Sequence, residues 1–245
     1  MDVQLPFFNK TYRLLAYRFA RRFKLVETLF SKKMRENMKP TIKRASMHMT
    51  VEEYLATGLM TSLLITPFLF IIFMFLTSVF LEFPFFAAFL FSFIFSIVGM
   101  GISFALFFIY PPYRTDTIKR NIESNLPYAT THMATIAGTG VPIYLIFKLL
   151  GSFPEYGEVS KESRRIARNI EVFGYDTLTA LGEAATRSPS PSFKDLLWTV
   201  VSVIRSGGDV RRLLTEKSKE LMDKQKSIEA EYLDSLGIMA EMYTT

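Results

Sequence analysis

Two long apolar runs separated by a single charged residue constrain this chain more than any other feature. Residues 57–81 hold no charged side chain in 25 positions and residues 83–110 hold none in 28, with only Glu82 between them. A helix of about 20 apolar residues is long enough to cross the roughly 30 Å hydrocarbon core of a membrane. The sequence therefore predicts an all-α membrane protein with a two-helix transmembrane hairpin.

Basic side chains flank the two runs on their outer sides. Lys43 and Arg44 precede the first run, and Arg114 and Lys119 follow the second. Because Lys and Arg close to a span stay in the cytoplasm, both termini are predicted to be cytoplasmic in a multi-pass protein of the cell membrane. Residues 1–53 carry 12 basic and 5 acidic side chains, a net +7 within a total of +6. Charge in that place indicates topology and lipid contact, and not binding of nucleic acid.

Composition divides the chain into three predicted segments. They are a cytoplasmic basic amphipathic arm (1–49), a transmembrane hairpin (50–112) with spans at about 57–81 and 83–110, and a cytoplasmic helical domain (113–245). Pro111 and Pro112 are predicted to end the second span, because proline breaks the interior of a helix.

The arm carries an apolar stripe at spacings of three and four residues. Its members are Tyr12, Leu15, Phe19, Phe23, Val26, Phe30 and Met34. Such a stripe predicts an amphipathic helix with one apolar face. That face could lie on anionic lipid in the membrane interface, or it could pack on the cytoplasmic domain.

The hairpin itself shows two local signals. Thr50 and Glu53 form a T-x-x-E capping box just before the first span. The second span carries small residues along one face, namely Ala88, Ser92, Ser96, Gly99 and Ser103. Small residues let membrane helices approach closely, so this face is predicted to pack on the first span, on a second copy or on another membrane protein. No ionisable side chain lies within either run, which disfavours a transporter.

The segment after the second span repeats one pattern three times, in which an amphipathic helix stops at glycine and another helix begins. The helices are predicted at 126–137 and 142–150, at 159–173 and 176–187, and at 191–205 and 209 onward, with turn glycines Gly138, Gly140, Gly174, Gly207 and Gly208. Glycine supplies the left-handed backbone that ends a helix, and Asp176 and Asp209 are suitable N-caps. Three hairpins predict a six-helix bundle.

Apolar residues at helical spacing predict the core of this bundle and the behaviour of its last helix. The core set is Ile136, Leu145, Phe147, Ile166, Ile170, Leu178, Leu181, Leu197, Trp198, Val201, Ile204 and Leu213. Leu214, Leu221, Ile228, Tyr232 and Leu236 form a narrow seam along the long, charged C-terminal helix. A narrow seam of this kind indicates a helix partner or a stalk.

Signatures of catalysis are absent from the sequence. There is no phosphate-binding G-x-x-x-x-G-K-[ST] motif, there is no cysteine, and His48 and His132 lie in different segments. The Ser-Pro turn at 188–192 has no histidine near it in sequence. The sequence therefore predicts no catalytic residue, no cofactor site and no metal site, and the protein is interpreted as non-enzymatic.

Arginines are the most suggestive polar groups. Arg164, Arg165 and Arg168 lie together in one predicted helix, and Arg205, Arg211 and Arg212 flank the third glycine turn. Clustered cations steer acidic partners, although they could equally be solvated helix faces. Arg164, Arg165, Arg168, Arg211 and Arg212 are the candidate partner contacts.

These glycine-punctuated helices resemble a known family. Leu126-Pro127, the run from Ala137 to Pro142, the Gly174 turn and Gly207-Gly208-Asp209 with Leu213-Leu214 are similar to the F domain of type II secretion systems. That domain is shared with the platform proteins of type IV pilus and archaellum assembly, and the aromatic, basic arm resembles the archaeal branch. The resemblance covers roughly residues 45 to 245.

The resemblance implies a mechanical role. In the family, a membrane platform binds a hexameric secretion ATPase through its cytoplasmic F domains and passes the motion to pilin or archaellin subunits. Family members usually carry further spans and often a second F domain, whereas this chain ends before a third span. We therefore expect a truncated chain, an N-terminal half that needs a second platform half, or a homo-oligomer that supplies both halves. The alternative is a membrane-anchored signalling or scaffolding protein that dimerises through its last helix.

Overall fold

A computed structural model of the protein describes residues 10–22, 26, 30, 32–45, 47, 49–79 and 84–244. The described residues contain helices and turns and no β-strand. The chain divides into two compact units between Thr115 and Asp116.

Nine α-helices and one short 3-10 helix make up the described chain. They are α1 (Lys10–Arg22), α2 (Lys32–Arg44), α3 (Val51–Val79), α4 (Phe85–Ala137), α5 (Ile143–Leu150), the 3-10 turn (Pro154–Tyr156), α6 (Gly157–Glu171), α7 (Thr177–Arg187), α8 (Pro191–Arg205) and α9 (Val210–Thr244).

The apolar hairpin consists of α3 and the first half of α4. Among the described residues, these two helices are long and apolar enough to cross a membrane. The predicted capping box at the start of α3 is confirmed. Glu53 N–H donates to the Thr50 hydroxyl at 3.2 Å, and Thr50 N–H donates to the Glu53 carboxylate at 3.1 Å.

Pro111 and Pro112 do not end the helix, because α4 runs without interruption from Phe85 to Ala137. The end of the second span near these residues stays a prediction. Pro111 has no N–H, so the carbonyl of Phe107, four residues earlier, loses its partner within the helix. The hydroxyl of Tyr54 on α3 donates to that carbonyl at 2.7 Å. A tertiary hydrogen bond therefore replaces the backbone bond that proline removes, and the helix continues.

The predicted apolar stripe of the arm is only partly buried. Leu15, Phe19 and Met34 are exposed, whereas Ala16 and Ala20 are buried, so the packing face is set by small residues and not by the large ones. Helix α1 packs against α3, with the hydroxyls of Tyr12 and Thr61 3.2 Å apart. Val26 and Phe30 are buried, and Phe23 lies outside the described residues. Contact of the arm with lipid stays a prediction.

The second unit is a helical bundle built from the end of α4 and from α5 to α9, so the predicted all-α class with a hairpin and a six-helix bundle is confirmed. Its buried core includes the predicted residues Phe147, Ile166, Leu181, Leu197 and Val201. Trp198 was predicted to be buried and this is wrong, since 42% of it is exposed. The adjacent positions Leu196 and Leu197 fill the core instead, and the Trp198 ring lies over Gly182.

The long helix α9 changes character along its length. Leu214 is fully buried in the core and Leu221 packs against it, whereas Ile228, Tyr232 and Leu236 are exposed. The seam predicted from the sequence therefore has two parts, one that packs in the core of the unit and one that is exposed to solvent. Leu214 cannot take part in a partner helix interface, and only the half beyond Leu221 is open.

Candidate functional site

Helix α4 holds the start of α6 with a polar side chain. The Asn121 amide oxygen accepts the N–H of Glu158 at 2.7 Å, which satisfies one of the free donors at the α6 N-terminus. Gly157 has φ +57, and a Cβ added there would lie 2.4 Å from that same amide oxygen. Glycine is therefore required at this position both for its backbone conformation and for the close approach of Asn121.

Two residues further along α4, Glu123 holds the start of α8. Its carboxylate accepts the hydroxyls of Ser190 and Ser192, each at 2.6 Å, and the N–H of Ser192 at 3.2 Å. Burial opposes ionisation of Glu123, but the hydrogen bonds from the two serines and the charge of Lys224 outweigh it and lower the pKa of this carboxyl. The Ser190 hydroxyl also accepts the N–H of Phe193 at 3.0 Å as the N-cap of α8. The Ser-Pro turn is a structural device held by an ionised carboxylate.

These two contacts place the starts of α6 and α8 beside neighbouring residues of α4, and each helix has 15 residues, about 22 Å. Other contacts place the far ends. Gly208, just after α8, lines one cavity with Gly138, and Glu171 in the last turn of α6 pairs at 2.7 Å with Lys148 of α5, the helix that follows the first glycine turn. The last turns of both helices therefore lie toward that end of the unit. We call the end at Asn121 and Glu123 the capped end, and the end formed by the turns at Gly138–Gly140, Gly174 and Gly207–Gly208 the glycine end.

Backbone geometry shapes the glycine end. Gly140, Gly174 and Gly207 have φ values of +75, +68 and +69, which side chains with a Cβ rarely adopt. Gly208 N–H donates to the carbonyl of Val203 at 2.9 Å, which closes a Schellman motif at the end of α8. The predicted N-caps of α7 and α9 are confirmed: Asp176 accepts from the backbone N–H groups of Leu178 and Thr179, and Asp209 from those of Arg211 and Arg212.

An open cavity of about 330 Å³ joins two of these turns. Gly138 and Gly140 line one side, and Gly208, Asp209 and Arg211 line the other. The Arg211 guanidinium lies beside Gly138, with its Nε 4.0 Å from where a Cβ would stand. Among the described residues it makes no hydrogen bond or ion pair. The first and third glycine turns, far apart in sequence, therefore form one surface with a free cation.

The middle glycine turn exposes apolar groups. Val172 is 69% exposed, Phe173 60% and Tyr175 42%. The Arg168 guanidinium lies 6.0 Å from the centre of the Phe173 ring, at the outer limit of a cation–π contact. Large exposed apolar side chains next to cations are typical of a protein contact surface.

The five predicted contact arginines fall into two groups. Arg168, Arg211 and Arg212 lie in the last turn of α6 and the first turn of α9, at the glycine end, and Arg212 pairs with Glu216 at 2.9 Å. Arg164 instead donates twice, from Nε at 3.1 Å and from a terminal nitrogen at 2.7 Å, to the carbonyl of Gly151 at the end of α5. Its charge is used to hold two helices together.

Arg165 is also held within the unit. Glu162, a buried residue, accepts from Arg165 and from Arg187, each at 2.9 Å. Burial lowers the pKa of the Arg165 guanidinium, partly offset by the neighbouring Glu162 carboxylate. Such a pair of arginines on one carboxylate ties α6 to α7, and removing Glu162 would leave two partly buried guanidinium groups uncompensated.

The small-residue face of α4 lies against α3. Ala88, Ser92 and Ser96 are buried, and the Ser96 hydroxyl donates to the carbonyl of Thr66 at 2.9 Å. A Cβ on Gly99 would come within 2.7 Å of the Leu69 side chain. Ser103 is half-buried. Of the three partners left open for this face, the structure brings it to the first span of the same chain.

Sequence reasoning missed Asn121, Glu123 and Gly157. The two polar residues lie inside a long helix, and no local sequence signal distinguishes them from solvent-exposed residues. The two serines of the Ser-Pro turn are the groups that Glu123 binds. No group of three or more His, Asp or Glu among the described residues is arranged to hold a metal ion.

The fold defines a membrane protein with an apolar helical hairpin and a glycine-punctuated helical bundle. Residues 129–245 match the family described as Type II secretion system (T2SS), protein F. This match confirms the resemblance that the sequence predicted for this segment of the chain.

Curated relatives agree at low identity. "Flagella accessory protein J" of Methanocaldococcus jannaschii and of Methanococcus voltae are each 26% identical over 137 residues, which is 56% of this chain. An uncharacterised protein of M. jannaschii is 27% identical over 135 residues, 55% of this chain. The matches cover 24%, 25% and 23% of those relatives respectively, so the chain spans about a quarter of their length. No solved structure gives a significant match.

Proposed function

We propose that this protein is a non-enzymatic membrane platform that couples a cytoplasmic secretion ATPase to assembly of a type IV pilus-like or archaellum filament, or to type II secretion. The observation that carries the proposal is the match of residues 129–245 to T2SS protein F. The two relatives named as flagella accessory proteins support the filament branch. In this proposal the pilin or archaellin subunits are the cargo of the machine.

The proposed topology follows from charge. Both termini are cytoplasmic, because Lys and Arg flank the apolar hairpin on its outer sides. The second unit then lies in the cytoplasm, where an ATPase can reach it. Protease protection of the full chain in sealed inverted vesicles tests this: the second unit is degraded in the proposed orientation and survives in the opposite one.

The ATPase docks on the glycine end. At the capped end, Asn121, Glu123 and their partners satisfy one another, so little remains for a partner. At the glycine end, the free guanidinium of Arg211 and the exposed Phe173 are available to an acidic, partly apolar surface. Aromatic residues and arginine are the groups enriched at the centre of protein interfaces.

Helix α4 gives the coupling its path. Its last residue, Ala137, precedes the first glycine turn, and its first half carries the second apolar run. A push at Gly138 would act first on the last turn of α4. The ties from α4 at Asn121 and Glu123 make α6 and α8 move with it.

Charge reversal at the glycine end tests the docking surface. The full chain in nanodiscs is titrated with the secretion ATPase of the same organism, with and without nucleotide. Arg211→Glu with Arg212→Glu is expected to weaken binding about tenfold or more, because like charges across an interface are costly. Lys219→Glu with Lys226→Glu is the matched control, since both lysines are exposed on the same helix away from the glycine end. Equal loss from both pairs would reject the glycine end as the docking surface.

The exposed second half of α9 favours one alternative. Ile228, Tyr232 and Leu236 form an open apolar face, as in a scaffold that self-associates through its last helix. Failure of the wild-type chain to bind the ATPase, together with a dimer that Tyr232→Asp with Leu236→Asp dissociates, would support the scaffold and reject the platform. If the wild-type chain binds the ATPase, and Tyr232→Asp with Leu236→Asp leaves its oligomeric state unchanged, the scaffold is rejected.

A further inference from the structure

A second cavity lies in the first unit, between α2 and the first turn of α3. It has a volume of about 760 Å³ and is open to solvent. None of its lining residues belongs to the glycine end or to the small-residue face of α4. The cavity is therefore a site that the proposed coupling does not use.

One wall of the cavity is a row of cations. Lys32, Arg35, Lys39 and Lys43 recur at spacings of three and four along α2, so they share one helix face, and all four line the cavity. Two carboxylates, Glu36 and Glu52, also line it, which leaves an excess of positive charge. The site is built to receive an anion.

Arg35 is only partly satisfied within the chain. One terminal nitrogen lies 3.6 Å from a Glu52 carboxylate oxygen, a distance too long for a strong hydrogen bond. Its Nε is buried and has no hydrogen-bond partner among the described residues. Because Nε is closed to solvent, a ligand in the cavity can approach only the exposed fifth of the Arg35 side chain, whose charge the long contact with Glu52 leaves weakly compensated.

The other wall is apolar. Ile42, Met47, Met49 and Val51 line it, and Ile42, Met47 and Val51 belong to the buried core of the first unit. A free phosphate ion needs only the cations. A cavity that pairs cations with an apolar wall matches a ligand with a phosphate at one end and hydrocarbon at the other.

Hydrogen bonds from α4 hold the cavity in shape. The Arg114 Nε donates to the carbonyl of Ala45 at 2.9 Å, and the Thr115 hydroxyl lies 3.4 Å from the carbonyl of Thr41. Both carbonyls belong to the end of α2, where Lys39 and Lys43 are placed. The cationic row is therefore fixed relative to the start of the hairpin.

The depth of the cavity suits a lipid headgroup. Val51 stands six residues before the charge-free run that begins at Thr57, which is about 9 Å of helix. The polar layer on each side of a bilayer is about 5 to 8 Å thick outside the hydrocarbon core. The cation row thus lies at the level of lipid phosphates when α3 spans the membrane.

We propose that this cavity binds the headgroup of an anionic phospholipid. Lys39, Lys43 and the exposed part of the Arg35 guanidinium contact the phosphate, and the upper part of an acyl chain lies along Met49 and Val51. A bound anionic lipid would hold α2 and the start of α3 at the membrane surface, where the hairpin enters.

Native mass spectrometry of the full chain, released from detergent, tests the site. The probes are dioctanoyl phosphatidylglycerol, which is anionic, dioctanoyl phosphatidylcholine, which has no net charge, and inorganic phosphate. We expect tighter binding of the phosphatidylglycerol than of the phosphatidylcholine. Lys39→Gln with Lys43→Gln should weaken phosphatidylglycerol binding about thirtyfold, because each of the two cations at a membrane surface contributes on the order of 1 kcal/mol.

The chain offers a matched control. Lys33 and Arg44 lie on the same helix, are exposed and do not line the cavity, so Lys33→Gln with Arg44→Gln removes the same charge elsewhere. This control should bind phosphatidylglycerol as the wild type does. Equal weakening by both pairs would show diffuse attraction and overturn the site. Displacement of the lipid by millimolar phosphate would reject the lipid-binding proposal and indicate a site for free phosphate. If the double variant Lys39→Gln, Lys43→Gln loses ATPase binding but keeps its lipid binding, the lipid proposal is rejected, and the cavity is a contact for an acidic protein.

Discussion

The two ends of the second unit use polar side chains in opposite ways. At the capped end, Asn121 and Glu123 are surrounded by donors from α6 and α8. At the glycine end, the Arg211 guanidinium has no partner among the described residues and Phe173 is 60% exposed. Polar groups that stabilise a fold are satisfied by it, whereas groups that bind a partner are left available. The comparison therefore separates residues that are satisfied within the bundle from the residues proposed as partner contacts.

Substitution of Gly157 should break the capped end most severely. Gly157→Ala must adopt φ +57 with ψ −119, which residues with a Cβ rarely do, and it drives a Cβ against Asn121, so we expect a loss of about 3 kcal/mol in the free energy of unfolding. Gly140→Ala is the control. It has a similar φ of +75 but nothing within 4 Å, so it should cost only about 1 kcal/mol. Equal losses in urea melts would mean that the contact with Asn121 contributes nothing.

The contribution of Glu123 to the free energy of unfolding should depend on pH. Its pKa is lowered in the folded protein, so its stabilisation is complete above the ordinary value of 4.5 and is lost as the pH falls through the lowered folded value. Glu123→Gln should cost about 2 kcal/mol at pH 7, because hydrogen bonds to a charged acceptor are lost. Its melting temperature should also fall less than that of the wild type between pH 5 and pH 3.

Glu231→Ala is the control for that measurement. Glu231 is exposed on the second half of α9, and surface changes of this kind usually stay within 0.5 kcal/mol. Parallel pH curves for the wild type and Glu123→Gln would show that the carboxylate is not the group that titrates.

The smallest effect should come from a pair of arginines. Arg164→Gln loses two hydrogen bonds to the Gly151 carbonyl and should cost about 1 kcal/mol of stability. Arg211→Gln should stay within 0.5 kcal/mol, because its guanidinium contacts no acceptor in the described chain. Chemical denaturation of both variants measures the difference. A destabilisation by Arg211→Gln that matches that of Arg164→Gln would remove the distinction between the two ends.

Local signals in the sequence were sufficient for most helix boundaries. The Thr50–Glu53 capping box, the N-caps Asp176 and Asp209 and the glycine at 207 act within four residues of their own position. The predicted burial of Trp198 was wrong because hydrophobicity alone cannot choose between adjacent helical positions. The continuation of α4 through Pro111 could not be predicted because the Tyr54 hydroxyl, which donates to the Phe107 carbonyl left free by this proline, is 53 residues away from that carbonyl in sequence.

The candidate surface was predictable only in part. Five arginines stood in two sequence clusters, and each carried the same charge. The fold gave Arg164 the Gly151 carbonyl and Arg165 the Glu162 carboxylate, and it left Arg211 open beside Gly138. Which arginine is free depends on which acceptors other helices bring near it, and no spacing along the chain encodes that.

The sequence by itself determined the all-helical class, the apolar hairpin and the glycine-punctuated bundle, because runs of hydrophobicity, caps and left-handed glycines act over one or two helical turns. Only the tertiary structure decided which groups are satisfied and which are free. Asn121 and Glu123 become caps, and the row from Lys32 to Lys43 becomes the wall of a cavity, only when helices distant in sequence pack together. Hydrogen bonds and ion pairs act over about 3 Å in space, whatever the separation along the chain.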